Sequence, residues 1–391
     1  MKRFIKFLVA HLDIMVLLIG LGIAFAIRLI LRGYISGDAV TGFLPWYEYI
    51  KSQGGFPALA HNFSGYSPLY LYMLTLSERL NSLLNISDLT VIKFIPIAFD
   101  FFGAFWFAKI IRIRYPRPAV GYMAALAYLL LPTVFINSAM WGQIDGIFTA
   151  LLLPAIYFLL INRNFPAMIF FGLALSIKFQ AIFWAPVLLI YFLRGRIQLK
   201  YFMIVPAVYI LTILPAWAIG RDLWQLLTLF FTQVGSFENL TLNAPTFYAL
   251  IDGSVNYLFN PVGILLALAV TGLLAYAISA LKPVLNATVG LHLSACSVLL
   301  VPYLLPKMHE RYFFPAEALT LLLAFYRPRL AFIPVILQIT ALSTYNNYLF
   351  GRTFLPLPIA SLINLAVIIY LAYDLAKILR PAEEQVQLQT G

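Results

Sequence analysis

The chain has 391 residues, of which 62% are hydrophobic and only 10% charged, with a mean hydropathy of +0.90. So few charges cannot cover a water-soluble surface, which excludes the two or three soluble domains this length would otherwise suggest. The net charge of +11, from 26 Lys and Arg against 15 Asp and Glu, then reports first on membrane topology and is no nucleic-acid footprint.

In chain order, apolar segments long enough to enter or cross a hydrocarbon layer of about 30 Å lie near 13–32, 90–110, 118–138, 145–162, 166–178, 180–194, 201–219, 258–281, 286–305, 309–326, 330–348 and 355–378. The fold class expected is all-α and polytopic, with about twelve transmembrane helices in a single domain over 1–380. The basic start, with Lys2, Arg3 and Lys6, resembles a signal anchor, because no small-residue cleavage pattern follows the first span. Threading the chain in and out places sixteen of the 26 basic residues inside, including the short loops 112–117, 194–196 and 327–329. That distribution fits the positive-inside rule with both termini cytoplasmic.

Segments 41–53 and 67–84 are apolar on one side but carry Glu48, Lys51, Glu78 and Arg79, so they are expected to lie in the interface. Counting 67–84 as a span would also put Arg112, Arg114 and Arg117 outside. Two large outward loops result, 33–89 and 220–257, and function is expected there. The tail 381–391 is polar and expected to be disordered and cytoplasmic. The single cysteine, Cys296, sits in an apolar run, so no disulfide framework or thiolate metal site is expected.

Ionisable groups in or beside spans are costly, which makes each a candidate site. Asp38 follows the first span and precedes the first interfacial helix. It suits either a general base for a substrate arriving along the membrane or a helix N-cap. In the run Pro306-Lys-Met-His-Glu-Arg-Tyr-Phe-Phe-Pro315, the groups Lys307, His309, Glu310 and Arg311 make a candidate phosphate or pyrophosphate clamp. Lys178 could snorkel to lipid phosphates or bind a substrate anion. In Trp141-Gly-Gln-Ile-Asp145, Gln143 and Asp145 suit sugar hydroxyls, and Asp145 equally suits a helix cap. Asp100, well inside its span, is expected to be structural and to pair with a cationic or hydrogen-bonding group on a neighbouring helix.

Taken in order, Asp38, Tyr66-Ser-Pro-Leu-Tyr70, Asp100, Trp141-Gly-Gln-Ile-Asp145, Ile177-Lys-Phe-Gln180 and Met308-His-Glu-Arg311 resemble the pattern of GT-C integral membrane glycosyltransferases. The similarity is to bacterial proteins related to the glycosylphosphatidylinositol second-mannose mannosyltransferases, and more distantly to dolichyl-phosphate-glucose glucosyltransferases. It covers about 34–320. Ser67 stands where the latter have a first proline, and Trp-Gly-Gln where they have an aromatic-rich stretch, so sugar and acceptor identity do not carry over.

The resemblance implies inverting transfer of a hexose, mannose or glucose, from a polyprenyl-phosphate donor to the hydroxyl of a lipid, glycan or protein acceptor. It makes Asp38 the general base. The leaving lipid phosphate is already a stable anion, so the task left is stabilising its charge, for which His309, Arg311, Lys178 and Lys307 are suited by type. Tyr66, Gln143, Asp145, Glu310 and Asn243, the last in Asn243-Ala-Pro-Thr-Phe-Tyr248, are further substrate-binding candidates. No metal and no cofactor beyond the lipid-linked donor are expected. The partners are membrane lipids and these substrates, with no nucleic acid. The compartment implied is a bacterial inner membrane with a periplasm-facing site, or the lumenal face of the endoplasmic reticulum in a eukaryote. A transporter or flippase of lipid-linked sugars is the leading alternative, but such a protein should show internal symmetry and midplane polar groups reachable from both sides, whereas the charges here concentrate at one face and no repeat is visible; a structural subunit assisting a separate catalytic chain is the second.

Overall fold

The computed structural model describes residues 11–234, 239–251 and 256–379. The basic residues Lys2, Arg3, Lys6 and Arg380 and the tail 381–391 lie outside the described residues. The described residues are 80% helical. Among the described residues, six helices are long and apolar enough to cross a membrane: Leu12–Leu31, Asp88–Arg114, Leu199–Ala218, Asn260–Ala280, Ala287–Leu304 and Leu357–Leu379. A seventh crossing would be the pair Pro118–Leu129 and Pro132–Trp141, bent by 56°. The molecule is therefore an all-α polytopic membrane protein. Every apolar segment read from the sequence contains helix, but several helices are short. The helix expected over 309–326 begins only at Phe314, because Met308–His309 pair as a strand and Glu310–Phe313 form a tight turn ahead of Pro315.

The chain forms two compact units, one of Met1–Tyr157, Ile169–Phe179 and Pro206–Gln233, the other of Phe158–Met168, Gln180–Val205 and Val234–Gly391. In the first unit, α1 (Leu12–Leu31) buries Gly20, Ala24 and Arg28. Their spacing of four puts them on one face, and small residues there let a neighbouring helix approach closely. A Cβ at Gly20 would sit 2.6 Å from Leu126 of α2 (Pro118–Leu129). One at Gly103, on α3 (Asp88–Arg114), would sit 2.8 Å from the Tyr128 hydroxyl. These glycines make room for α2 between α1 and α3.

The same interface carries the buried charges. Arg28 donates through Nε to Asp100 Oδ2 (2.8 Å), through Nη1 to the Ala24 carbonyl (2.9 Å) and through Nη2 to the Leu129 carbonyl (3.0 Å). Ser138 donates to the same Asp100 oxygen at 2.5 Å. The guanidinium also faces the Phe101 ring at 5.4 Å. Both ions are fully buried, a state tolerated only because each has partners of opposite polarity.

Pro68–Leu84 forms one helix, shorter than the membrane-crossing helices. The region 220–257, read from the sequence only as a loop, contains the amphipathic helix Leu223–Val234. Its Leu226 packs with Ile213, Ala216, Tyr72 and Tyr209, and Arg221 just before it donates to Asn62 Oδ1 at 2.6 Å.

In the second unit, Ala287–Leu304 packs against Phe314–Tyr326 and Leu357–Leu379. Asp374 accepts two hydrogen bonds from Arg327 (2.8 and 3.0 Å) and pairs with Arg329, with His292 Nδ1 3.7 Å away. The Arg-Pro-Arg loop, read from the sequence as a topology marker, is therefore also an ionic tie. A cavity of about 250 Å³ in this unit is lined mainly by apolar side chains, among them Val187, Ile190, Leu274, Leu293 and Leu371.

Candidate functional site

The site is assembled at two unusual helical turns. After α1, the chain passes through Tyr34–Ser36 and enters a π-helical turn, Ala39–Phe43, directly after Asp38; helix Leu44–Ser52 continues from it. A second π-helical stretch, Ile136–Trp141, follows the short helix Pro132–Phe135 and ends at Gly142. Wide turns of this kind insert one residue into the helical ladder, which re-aims side chains, and they recur at functional sites.

Here they aim side chains at each other. Asp38 Oδ2 accepts hydrogen bonds from Trp141 Nε1 (2.7 Å) and from Gln143 Nε2. The Tyr66 hydroxyl donates to Gln143 Oε1 at 3.3 Å. Trp141 and Gln143 are buried, whereas Asp38 and Tyr66 are half-buried, so buried donors hold the carboxylate of a residue that itself keeps partial exposure. Asp38 makes no capping bond to the turn it precedes. That task falls to Ser36, whose hydroxyl accepts from Ala39 N (3.2 Å) and donates to the Trp141 carbonyl (2.8 Å). Of the two readings open for Asp38, the cap is thus taken by another residue.

Aromatic rings surround the network. Trp46 and Tyr66 lie 5.0 Å apart, centroid to centroid, and Tyr66 and Tyr70 5.4 Å, both pairs edge-on; Phe43 packs beneath Trp46 at 5.5 Å. Burial, and secondarily the neighbouring Tyr66, push the Tyr70 phenol well above its ordinary range, so it stays neutral. Half-buried Trp and Tyr rings beside a carboxylate and an amide form the kind of wall against which a sugar's apolar face stacks while its hydroxyls bond.

Gly142 connects the π-helical stretch to Gln143 with φ +83°, in the left-handed region that favours glycine. A Cβ there would also sit 3.4 Å from the Lys93 stem. Gly142→Ala is expected to cost about 1–3 kcal/mol, as left-handed backbone does for non-glycine residues, and to lower the thermal midpoint of the detergent-solubilised protein. An unchanged midpoint would show that the turn relaxes freely.

Asp145 and Lys178 are joined directly. Asp145 opens helix Asp145–Leu160, and its Oδ1 accepts from Lys178 Nζ at 2.6 Å with both side chains almost fully buried. The ammonium offered by the sequence as a phosphate ligand or snorkelling group is thus engaged by a carboxylate, and Asp145 by an ion pair.

In the second unit, Thr241–Leu242 and Met308–His309 form a two-residue parallel ladder, extended by a bridge between Asn243 and His309. Lys307, at φ +60°, donates its N–H to the Leu240 carbonyl at 2.7 Å. This brings Asn243, Lys307, His309, Glu310 and Arg311 together. Arg311 Nη1 bonds Glu310 Oε1 at 3.0 Å, and both residues are buried. The His309 ring meets Tyr312 edge-on at 5.2 Å, and Lys307 and His309 keep partial exposure. Asn243 Nδ2 donates to the Thr344 carbonyl at 2.8 Å, so its amide fixes the loop.

Ser36, Trp141 as a donor, and Lys93 were not distinguished in the sequence as site residues. Lys93, fully buried, donates to the Tyr34 carbonyl at 2.5 Å and the Met140 carbonyl at 2.6 Å. A lysine inside an apolar span was the available signal, but partners 59 and 47 residues away were not visible.

The fold and these polar networks define a polytopic helical membrane protein with an oriented carboxylate on a half-buried residue. Compared with models of known families and with curated proteins, the chain matches none.

Proposed function

We propose that the protein is an inverting glycosyltransferase of the GT-C type, with about twelve membrane passes, that moves a hexose from a polyprenyl-phosphate donor to an acceptor hydroxyl. Mannose or glucose is the sugar favoured, and the periplasmic face of a bacterial inner membrane is the place. The observation that carries this reading is the carboxylate of half-buried Asp38, with one oxygen oriented by Trp141 and Gln143. A general base must keep its basic oxygen aimed at the proton it removes, and two N–H donors on Oδ2 fix that direction. The acceptor hydroxyl loses its proton to Asp38 as its oxygen attacks the anomeric carbon, and the bond to the phosphate oxygen breaks on the opposite side. Both electrons of that bond leave with the polyprenyl phosphate. For the leaving phosphate, the sequence resemblance points to Lys307, His309, Arg311 and Lys178 as electrostatic stabilisers; of these Lys307 and His309 keep partial exposure, whereas Lys178 and Arg311 are buried against Asp145 and Glu310. Tyr66, Gln143 and the rings of Trp46 and Tyr66 suit the sugar.

The test is to incubate purified protein with short-chain polyprenyl-phosphate hexoses, with and without a crude lipid and glycan extract. Free polyprenyl phosphate and the anomeric configuration of any product are measured. Release that requires the extract, with configuration opposite to the donor's, is expected. No release from any donor, or a product of retained configuration, contradicts the proposal, and movement of intact donor across liposomes would favour a transporter.

A further inference from the structure

We propose that Lys93 is a positioning residue for Asp38: its buried ammonium clamps together the two backbone segments whose side chains form the Asp38 network. The inference rests on the transfer reading only for its consequence in catalysis; the clamp itself is independent of it.

Lys93 lies in the second turn of α3, completely buried, where an ionised side chain is costly. Its Nζ donates to the carbonyls of Tyr34 and Met140. Tyr34 is four residues before Asp38, and Met140 is one before Trp141 and three before Gln143. The two segments thus meet at one cation.

The helix-end chemistry explains why a cation sits there. The last carbonyls of a helical segment have no intrahelical donor and carry partial negative charge, so they attract cations. At the end of the π-helical stretch Ile136–Trp141, the Met140 carbonyl is taken by Lys93 and the Trp141 carbonyl by Ser36, while Gln143 N donates back to the Asn137 carbonyl at 2.9 Å. An ammonium has three N–H donors at one point on an unbranched stem, and can serve carbonyls from two chain segments at once. Gly142 accommodates that stem: its absent Cβ would stand 3.4 Å from Lys93 Cγ and Cε.

Removing the cation leaves segment 34–39 joined to segment 140–143 only through the Ser36 hydroxyl on the Trp141 carbonyl and the side-chain bonds of Asp38 itself, and loses the ties at Tyr34 and Met140. The carboxylate, Trp141 and Gln143 keep their chemistry but lose their fixed relation. A shift of about 1 Å at a reacting group costs on the order of 100-fold in rate.

The test uses Lys93→Met, which keeps length and removes the donors, in the full-length protein and in two arms. By amide hydrogen exchange, segments 34–43 and 136–146 should both exchange at least tenfold faster, with the helix Ala287–Leu304 unchanged. Unchanged exchange in either segment, or loss of protection throughout the chain, overturns the clamp. By polyprenyl-phosphate release, kcat should fall on the order of 100-fold with KM within about threefold. Added to Asp38→Asn, Lys93→Met should cause no further loss. A variant with kcat within threefold of wild type, or a loss that multiplies in the Asp38→Asn background, overturns the positioning role. A wild-type protein inert with every donor contradicts the transfer reading instead, and the exchange arm then decides the clamp alone.

Discussion

Asp38→Asn should reduce polyprenyl-phosphate release by about 10²- to 10⁴-fold, the range general-base catalysis contributes. The substitution is nearly isosteric. The amide oxygen can occupy the position of Oδ2 and still accept from Trp141 Nε1 and Gln143 Nε2, so the turn at Ala39–Phe43 and the aromatic wall should survive. Only the basicity goes. Asp38→Glu keeps the basicity but adds a methylene, which pushes the carboxylate past both donors; its loss should be on the order of 100-fold, from misplacement alone. If Asn were inert and Glu fully active, orientation by Trp141 and Gln143 would be irrelevant, whereas two fully active variants would remove Asp38 from the chemistry.

The second large effect concerns stability. Removing one member of a buried ion pair leaves the other charge uncompensated and typically costs about 3–5 kcal/mol. Asp100→Leu leaves the Arg28 guanidinium with the Ala24 and Leu129 carbonyls and the Phe101 ring, but without a counter-charge. It also removes one of the two acceptors of Ser138, which lies in the π-helical stretch that ends at Trp141 and keeps the Val134 carbonyl at 3.0 Å. Asp100→Leu and Arg28→Met should each sharply lower the yield of monodisperse protein and its thermal midpoint in detergent. The double variant should recover much of the loss, because replacing a whole buried pair by apolar groups is often close to neutral. Additive losses in the double variant would show that the pair's partners, and not its charge balance, dominate.

The helical, membrane-spanning character was legible in the sequence because hydrocarbon length and apolar composition are local properties. The segments around 13–32, 90–110 and 355–378 coincide with helices Leu12–Leu31, Asp88–Arg114 and Leu357–Leu379 within a few residues. Helix ends were less legible where backbone pairing intervenes. Nothing in Met308–His309 announces a two-residue ladder with Thr241–Leu242, yet that pairing delays the next helix to Phe314. The candidate site was legible as residue types and not as connections. Asp38 and Gln143 stood out as polar groups beside spans, but the two π-helical turns that aim them at each other have no compositional signature. Long-range pairing was invisible for the same reason. Lys178 and Arg311 read as available cations, and each meets a carboxylate, Asp145 and Glu310 respectively. Arg327 and Arg329 read as topology markers, and both reach Asp374.

Wild type and Asp38→Asn, purified in equal folded amounts and given the same polyprenyl-phosphate hexose with and without acceptor extract, test the central claim most directly through the rate of polyprenyl-phosphate release. The account predicts release by wild type only when acceptor is present, and a rate at least 100-fold lower for Asp38→Asn. Equal rates for the two proteins, or release by wild type that ignores the acceptor, would contradict it.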